Sequence, residues 1–158
     1  MSLTDSYNTP KWIADRVGTF DLDPCSNDRT HIRARQTYAL PLDGLSLPWV
    51  GRVWLNPPYS NPLPWMEKLH NERAAGRVTE SLVLVKLDVS PKWWHTLTNP
   101  AYGRFDAWFF HKRLQFDPPP GVKTSSNNFS SVLIHHDQNA IAPLDLDEVA
   151  DVWTKVGP

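Results

Sequence analysis

In this 158-residue chain the residues best suited to chemistry form one short run, Asn56-Pro57-Pro58-Tyr59. Two successive prolines remove two backbone donors and fix two φ angles, so the run is a stiff loop in which no strand can continue. It offers acceptors, the Asn56 side-chain carbonyl and the Pro57 backbone carbonyl, next to the flat ring of Tyr59. Stiffness pre-organises both oxygens before any partner arrives. Two carboxylates, Asp21 and Asp23, lie two residues apart in a β-patterned run, which puts both on one strand face with Leu22 opposite. His135 and His136 are strand neighbours pointing to opposite faces, so the two cannot serve one ion, and no metal is expected.

A loop of this kind needs a strand that ends at it, and Gly51-Arg52-Val53-Trp54-Leu55 is such a strand. Thr9 as a cap, Pro10 at the first helical position and a stop at Gly18 predict a first helix. Thr19 to Asp23 then alternates as a short strand running into Pro24. Ser26 to Leu47 is rich in polar and turn-forming residues and reads as mostly irregular with one short helix. Leu63, Met66, Leu69 and Ala74 recur at helical spacing between Pro62 and Ala75, with Gly76 as the stop. The nearly continuous apolar run Ser81 to Leu87 suits a strand covered on both faces, followed by a helix over Pro91 to Leu97. Phe105 to His111 and Ser130 to His136 read as strands flanking the irregular Asp117-Pro118-Pro119-Pro120-Gly121, and Asp145 to Val156 as a closing amphipathic helix. Alternating strands and helices indicate a three-layer α/β domain with a mostly parallel sheet and antiparallel strands near its end. In open sheets of this type ligands bind outside the carboxyl ends of the strands, where Asn56 lies.

The length fits one domain, residues 1–158, with no room for a second recognition domain. Hydrophobic residues at 41% and charged residues at 21% are near globular averages, so the 15 prolines punctuate loops and do not signal wholesale disorder. A net charge of -1 argues against a surface that grips nucleic acid everywhere, while leaving a local basic stripe open. The single cysteine, Cys25, permits no intrachain disulfide. With no apolar run long enough to span a bilayer and no signal-peptide pattern, the expected location is cytoplasmic and no membrane partner is expected.

Asn56-Pro57-Pro58-Tyr59 resembles the signature loop of methyltransferases that modify exocyclic amino nitrogens of adenine or cytosine. The resemblance extends along nearly the whole chain to the compact phage-type Dam-like DNA adenine methyltransferases. Its pieces occur in order: Thr9-Pro10-Lys11-Trp12, Phe20 to Ser26, Asp43-Gly44-Leu45, the Asn56 loop, Trp93-Trp94, and Arg113-Leu114-Gln115-Phe116. It implies a three-layer Rossmann-like fold that takes its methyl group from S-adenosyl-L-methionine, in a pocket built from Thr9, Pro10, Asp21, Asp23, Pro24, Cys25 and Asp43. Asp23 is favoured over Asp21 for direct contact, and Asp43 is either a cofactor contact or an ordinary Asp-Gly turn. It also implies a phage or prophage origin and a role in protecting DNA from restriction. One departure from the wider superfamily is plain: no Gly-x-Gly loop follows the first strand, and Gly18 stands before it.

The chemistry accounts for the residue types. An exocyclic amino lone pair is delocalised into its ring and attacks poorly until acceptors hold its two hydrogens and favour pyramidalisation. Asn56 and Pro57 offer those acceptors, and Tyr59 a stacking face for a base that has left the duplex. Attack is direct, so Cys25 is not needed as a nucleophile. For contact with DNA the candidates are Lys112 and Arg113 beside an aromatic cluster, Arg29, Arg33 and Arg35, which either read bases or solubilise a loop, and one of the adjacent pair Trp93 and Trp94, with Trp94 as the candidate. Three other readings stay open: methylation of cytosine N4, methylation of RNA or of a protein glutamine, and a non-catalytic DNA-binding or anti-restriction derivative. The expected assembly is a monomer or weak homodimer.

Overall fold

The computed structural model describes residues 7–123, 129–137 and 144–155. Its strands are β1 (Thr19–Asp23), β2 (Arg33–Thr37), β3 (Gly51–Leu55), β4 (Val78–Lys86), β5 (Phe105–Phe110), β6 (Ser131–Asp137) and β7 (Ala150–Lys155), and its helices are α1 (Lys11–Val17), α2 (Leu63–Ala74) and α3 (Lys92–Leu97). The strands form one sheet in the order β2-β1-β3-β4-β6-β5-β7. Neighbours from β2 through β4 are parallel, and those from β4 through β7 are antiparallel.

Alternation along β3, β4 and β6 divides the interior into two cores, whereas Phe20 and Leu22 of β1, two residues apart, join different ones. Phe20, Trp54, Leu82, Leu84, Trp108 and Leu133 belong to one, where Ile13, Ala14 and Val17 of α1 cover them. Leu22, Val53, Leu55, Val83, Val85 and Ile134 belong to the other, against Met66 and Leu69 of α2 and Leu97 of α3. The apolar run in β4 is therefore continuous because both of its faces are buried. At roughly 1.5–3 kcal/mol for each large apolar side chain removed from water, this central strand anchors both layers.

The end of α2 follows from its sequence. Gly76 has φ +74°, its N–H donates to Arg73 O, and the Arg77 N–H donates to Glu72 O. This pair of bonds is a Schellman stop, which needs a left-handed residue at that position. The start of α1 differs from expectation by one residue. Pro10 is the cap itself, with extended ψ 141° and no side-chain cap bond. Its carbonyl accepts from the Ile13 and Ala14 N–H groups, which leaves Thr9 buried one step upstream.

Two other expectations are corrected. Ser26 to Leu47 holds a strand, β2, and no helix. The strand is Arg-Ala-Arg-Gln-Thr at the sheet edge, exposed along most of its length, so no burial imposes an apolar alternation that a reader could detect. Asp145 to Val156 is not a helix: residues from Ala150 to Lys155 form β7 on the outer edge of β5, and Val156 lies outside the described residues. Leu146 and Val149 stand three residues apart, as on a helix face, but Leu146 enters the first core from the segment that leads into β7. The sheet is consequently mixed, with three parallel and three antiparallel neighbour pairs, and not mostly parallel. Among the described residues no helix is long and apolar enough to cross a membrane.

Candidate active site

From β1 the chain moves to one side to make β2, then returns past β1 to make β3 on the other. The loops leaving β1 and β3 therefore diverge at their carboxyl ends, and a crevice opens between them. There a cavity of about 660 Å³ is lined by Thr9, Asp23, Cys25, Ser26, Trp54 and Asn56, with Tyr7, Asn8, residues from Asn27 to Thr30, Ile32, Ala39, Leu40, Pro119 and Pro120 around them.

The rim of this cavity is held by a polar network. Asn8 and Asp117 exchange backbone hydrogen bonds of 2.9 Å in each direction. The Asn27 amide donates to Asn8 Oδ1 at 2.6 Å, the Asn8 amide donates to Arg29 O at 3.0 Å, and Arg29 Nη1 donates to Pro118 O at 3.2 Å. His31 closes the ring against Asp117 at 2.7 Å. Residues far apart in sequence thus converge on the segment just before α1, which accounts for its order in the absence of a helix of its own.

Two groups inside are chemically unusual. Asp23 ends β1 only 2% exposed, and burial pushes its carboxyl up to about 7, against the opposing hydrogen bonds from the Cys25 N–H and Ser26. No cation pairs with it in those interactions, so the charged form depends on what else enters the cavity. Asn56 directly follows β3, and its Oδ1 is buried with no hydrogen-bond partner among the described residues. An unsatisfied buried carbonyl costs about 1–3 kcal/mol, so a group of this kind marks a place where a donor is expected.

Tyr59 meets Phe116 and Phe129 edge to face, with centroids at 6.3 and 5.6 Å. Its hydroxyl is buried without a partner among the described residues, and burial raises the phenol far above its ordinary value. The ring is therefore an aromatic element held by packing, not an acid or base. Two of the ordered sequence pieces, the Asn56 loop and Arg113 to Phe116, meet at this contact. Pro57 is buried behind Asn56 and Pro58 is half-buried.

Other expected site residues are elsewhere. Asp21 accepts the Arg52 N–H at 2.8 Å and faces Arg35 at 3.9 Å, away from the cavity lining. Pro10 caps α1, and Pro24 packs against Gly44 so closely that any side chain at residue 44 would overlap the Pro24 carbonyl oxygen. Asp43 accepts the Leu45 N–H at 3.0 Å, and its backbone carbonyl accepts from Ser46, which is the turn alternative. Trp93 and Trp94 are both half-buried, meet edge to face, and pack on the second core. Arg33 and Arg35 are exposed on β2. Lys112 and Arg113 line a second cavity of about 390 Å³ with Trp12, Phe110, Gln115 and Glu148.

His135 and His136 do occupy opposite sheet faces: His135 meets Glu80 at 2.9 Å, and His136 meets His70 and Phe105. Glu80, His135 and Asp137 are the one grouping of potential metal ligands among the described residues. Arg52 and His135 already engage the two Glu80 oxygens. Sequence reasoning missed Asn8, Asn27, Trp54 and Phe129. Only Asn27 carried a signal, as a turn-forming residue directly after Ser26.

The family model for DNA N-6-adenine-methyltransferase (Dam) matches residues 1–150. A protein of Haemophilus phage HP1 (strain HP1c1) named DNA N-6-adenine-methyltransferase is 28% identical over 137 residues, which cover 82% of this chain and 77% of that protein. No solved structure matches. With the match running through the β1 loop and Asn56, which line the cavity, the chain belongs to the DNA N-6-adenine-methyltransferase (Dam) family and is a methyltransferase enzyme.

Proposed function

We propose that the chain transfers a methyl group from S-adenosyl-L-methionine to the N6 amino group of an adenine turned out of DNA into the mouth of the 660 Å³ cavity. The observation that carries this reading is the buried Oδ1 of Asn56, without a partner among the described residues, on the wall of a cavity that also holds Asp23. Four parallel strands followed by three joined through antiparallel pairs, with helices against both faces, support a methyltransferase-like three-layer arrangement of one domain.

The residues present fit the cofactor. The cavity falls within the roughly 300–1,000 Å³ typical of small-molecule sites. Asp23 is a buried carboxylate in need of hydroxyl or ammonium donors, both of which the cofactor carries. Thr9, Cys25 and Ser26 are the remaining contacts from the Thr9 and β1 segments. When bound, the cofactor supplies a methyl group on an electrophilic sulfonium centre.

The chain's own part is to prepare the nucleophile. Asn56 Oδ1 and the Pro57 carbonyl accept the two N–H groups of the amine, which draws the nitrogen toward a tetrahedral shape and frees its lone pair. The double proline spares those acceptors any competing backbone donor. Tyr59, braced by Phe116 and Phe129, confines the base face so that only one approach remains. Lys112 and Arg113 lie just before the Phe116 contact and are the candidates to hold backbone phosphate, with Arg33 and Arg35 as a second basic group on β2.

The test is incubation of the protein with labelled cofactor and unmethylated plasmid DNA, followed by digestion and mass identification of the nucleosides. N6-methyladenine is the expected product. No transfer, together with no cofactor binding by calorimetry, would instead support a DNA-binding protein without catalysis.

A further inference from the structure

β7 is the last strand of the sheet, and among the described residues nothing pairs with its outer edge. Such edges are normally blunted by charges, prolines or bulges. Here the centre of the strand is Val152 and Trp153, 45% and 71% exposed, with the Trp153 ring edge to face with Phe109 at 6.0 Å. An unpaired edge with an exposed tryptophan at its centre is a template for another strand.

The ladder shows which backbone groups are available. The His111 N–H donates to Val149 O at 2.9 Å, and the register sets Phe109 against Asp151 and Ala107 against Trp153. Hydrogen-bonded pairs alternate along an antiparallel ladder, so Asp151, Trp153 and Lys155 direct their N–H and C=O groups inward to β5. Ala150, Val152 and Thr154 direct theirs outward.

We propose that β7 pairs antiparallel with β7 of a second copy, with Trp153 facing Trp153 across a twofold axis. This register makes Val152 and Thr154 of the two copies the hydrogen-bonded pairs, as their outward groups require. Trp153 falls on a non-hydrogen-bonded pair, where opposed side chains approach most closely and aromatic pairs stabilise the seam. Asp151 of one copy falls opposite residue Lys155 of the other, twice by symmetry, an acidic position against a basic one. Shifting the register by two residues sets Asp151 against Trp153 and loses that match. The contact is isologous, so it closes at two copies. It joins the two sheets into one, with the two cavities at opposite ends of the strands.

Sedimentation velocity of the full chain from about 1 to about 200 µM tests this, the range in which a small interface associates. The expected result is a concentration-dependent species of twice the 18.1 kDa chain mass. Trp153→Glu removes the apolar pair, and Val152→Pro removes an outward N–H without touching the inward ladder. Each should raise the dissociation constant at least about tenfold, with methyl transfer per chain unchanged and circular dichroism confirming the fold. Asp151→Lys should weaken association, and Asp151→Lys with Lys155→Asp should restore it. A monomer at every concentration, a dimer indifferent to these changes, or failure of the swapped pair to restore association would overturn the proposal.

Discussion

Replacing Asp23 by Asn should stabilise the protein and weaken its hold on the cofactor, and the two effects can be separated by pH. Burial raises the Asp23 carboxyl from 3.8 to about 7. Between those values the folded chain retains a proton that the unfolded chain has released, so the Asp23 contribution to stability falls as pH rises through the window. The loss is absent below pH about 4 and complete above about 7, where it amounts to at most about 4 kcal/mol. Asn carries no charge to bury and keeps an oxygen for the Cys25 N–H, which Asp23 accepts at 3.2 Å. In urea unfolding series the variant should therefore match the wild type at pH 4 and gain on it steadily up to pH 8. Calorimetry at pH 8 should show cofactor binding weakened by about 10–100-fold, the worth of a hydrogen bond to a charged group. Wild-type binding should itself weaken as pH drops below 7, since protonation removes the negative charge that strengthens the hydrogen bond, and the variant should not follow that trend. A stability difference flat in pH, or a variant that is less stable at pH 8, would refute the reasoning, because it would mean that Asp23 is not an unpaired buried carboxylate.

Tyr59→Phe removes a buried hydroxyl that has no partner among the described residues and should change stability little or raise it. Tyr59→Ala, by contrast, should cost about 3–5 kcal/mol in chemical unfolding through lost contact with Phe116 and Phe129. Gly44→Ala should cost at least about 1–3 kcal/mol, since the new methyl group meets the Pro24 carbonyl oxygen, and a melting temperature equal to wild type would count against that packing. His70, held near 4 mainly by burial and then by Arg73, and His136, held well below 6.5 by burial, should make the fold lose stability as pH falls below 6.5. Unfolded-state histidines take up protons there that the folded ones resist, so His136→Leu should flatten the acid limb of a stability curve against pH.

The parts of the fold that could be read in advance were those where burial forces a pattern. β1 and β3 coincide with their expected bounds because an alternating run and an apolar run each stop at proline-containing loops. β4 was legible because both of its faces are covered. β2 and β7 are edge strands: one is polar along its length, and the other follows Leu146 and Val149, which stand at helical spacing although Leu146 enters the core from the segment that leads into β7. Edge strands are specified by what they pair with, and that partner lies far away in sequence. The same distinction runs through the site. Asn56, Asp23, Thr9 and Cys25 were legible because they stand at the carboxyl ends of readable strands or beside a readable helix, and the cavity unites them. Asp21 was paired with Asp23 by alternation alone, whereas the structure gives it to the Arg52 N–H across the neighbouring strand. Asn8, Asn27 and Phe129 act through contacts between distant segments, to which spacing within one segment is blind.

The central claim, that the Asn56 carbonyl activates the adenine amine, is tested most directly by comparing Asn56→Ala with wild type in single-turnover methyl transfer to DNA at saturating cofactor. Loss of about 10²–10³-fold in rate with cofactor affinity preserved is the predicted result, since the side chain acts on the nucleophile and not on the donor. A variant that transfers methyl to adenine N6 at the wild-type rate would contradict it.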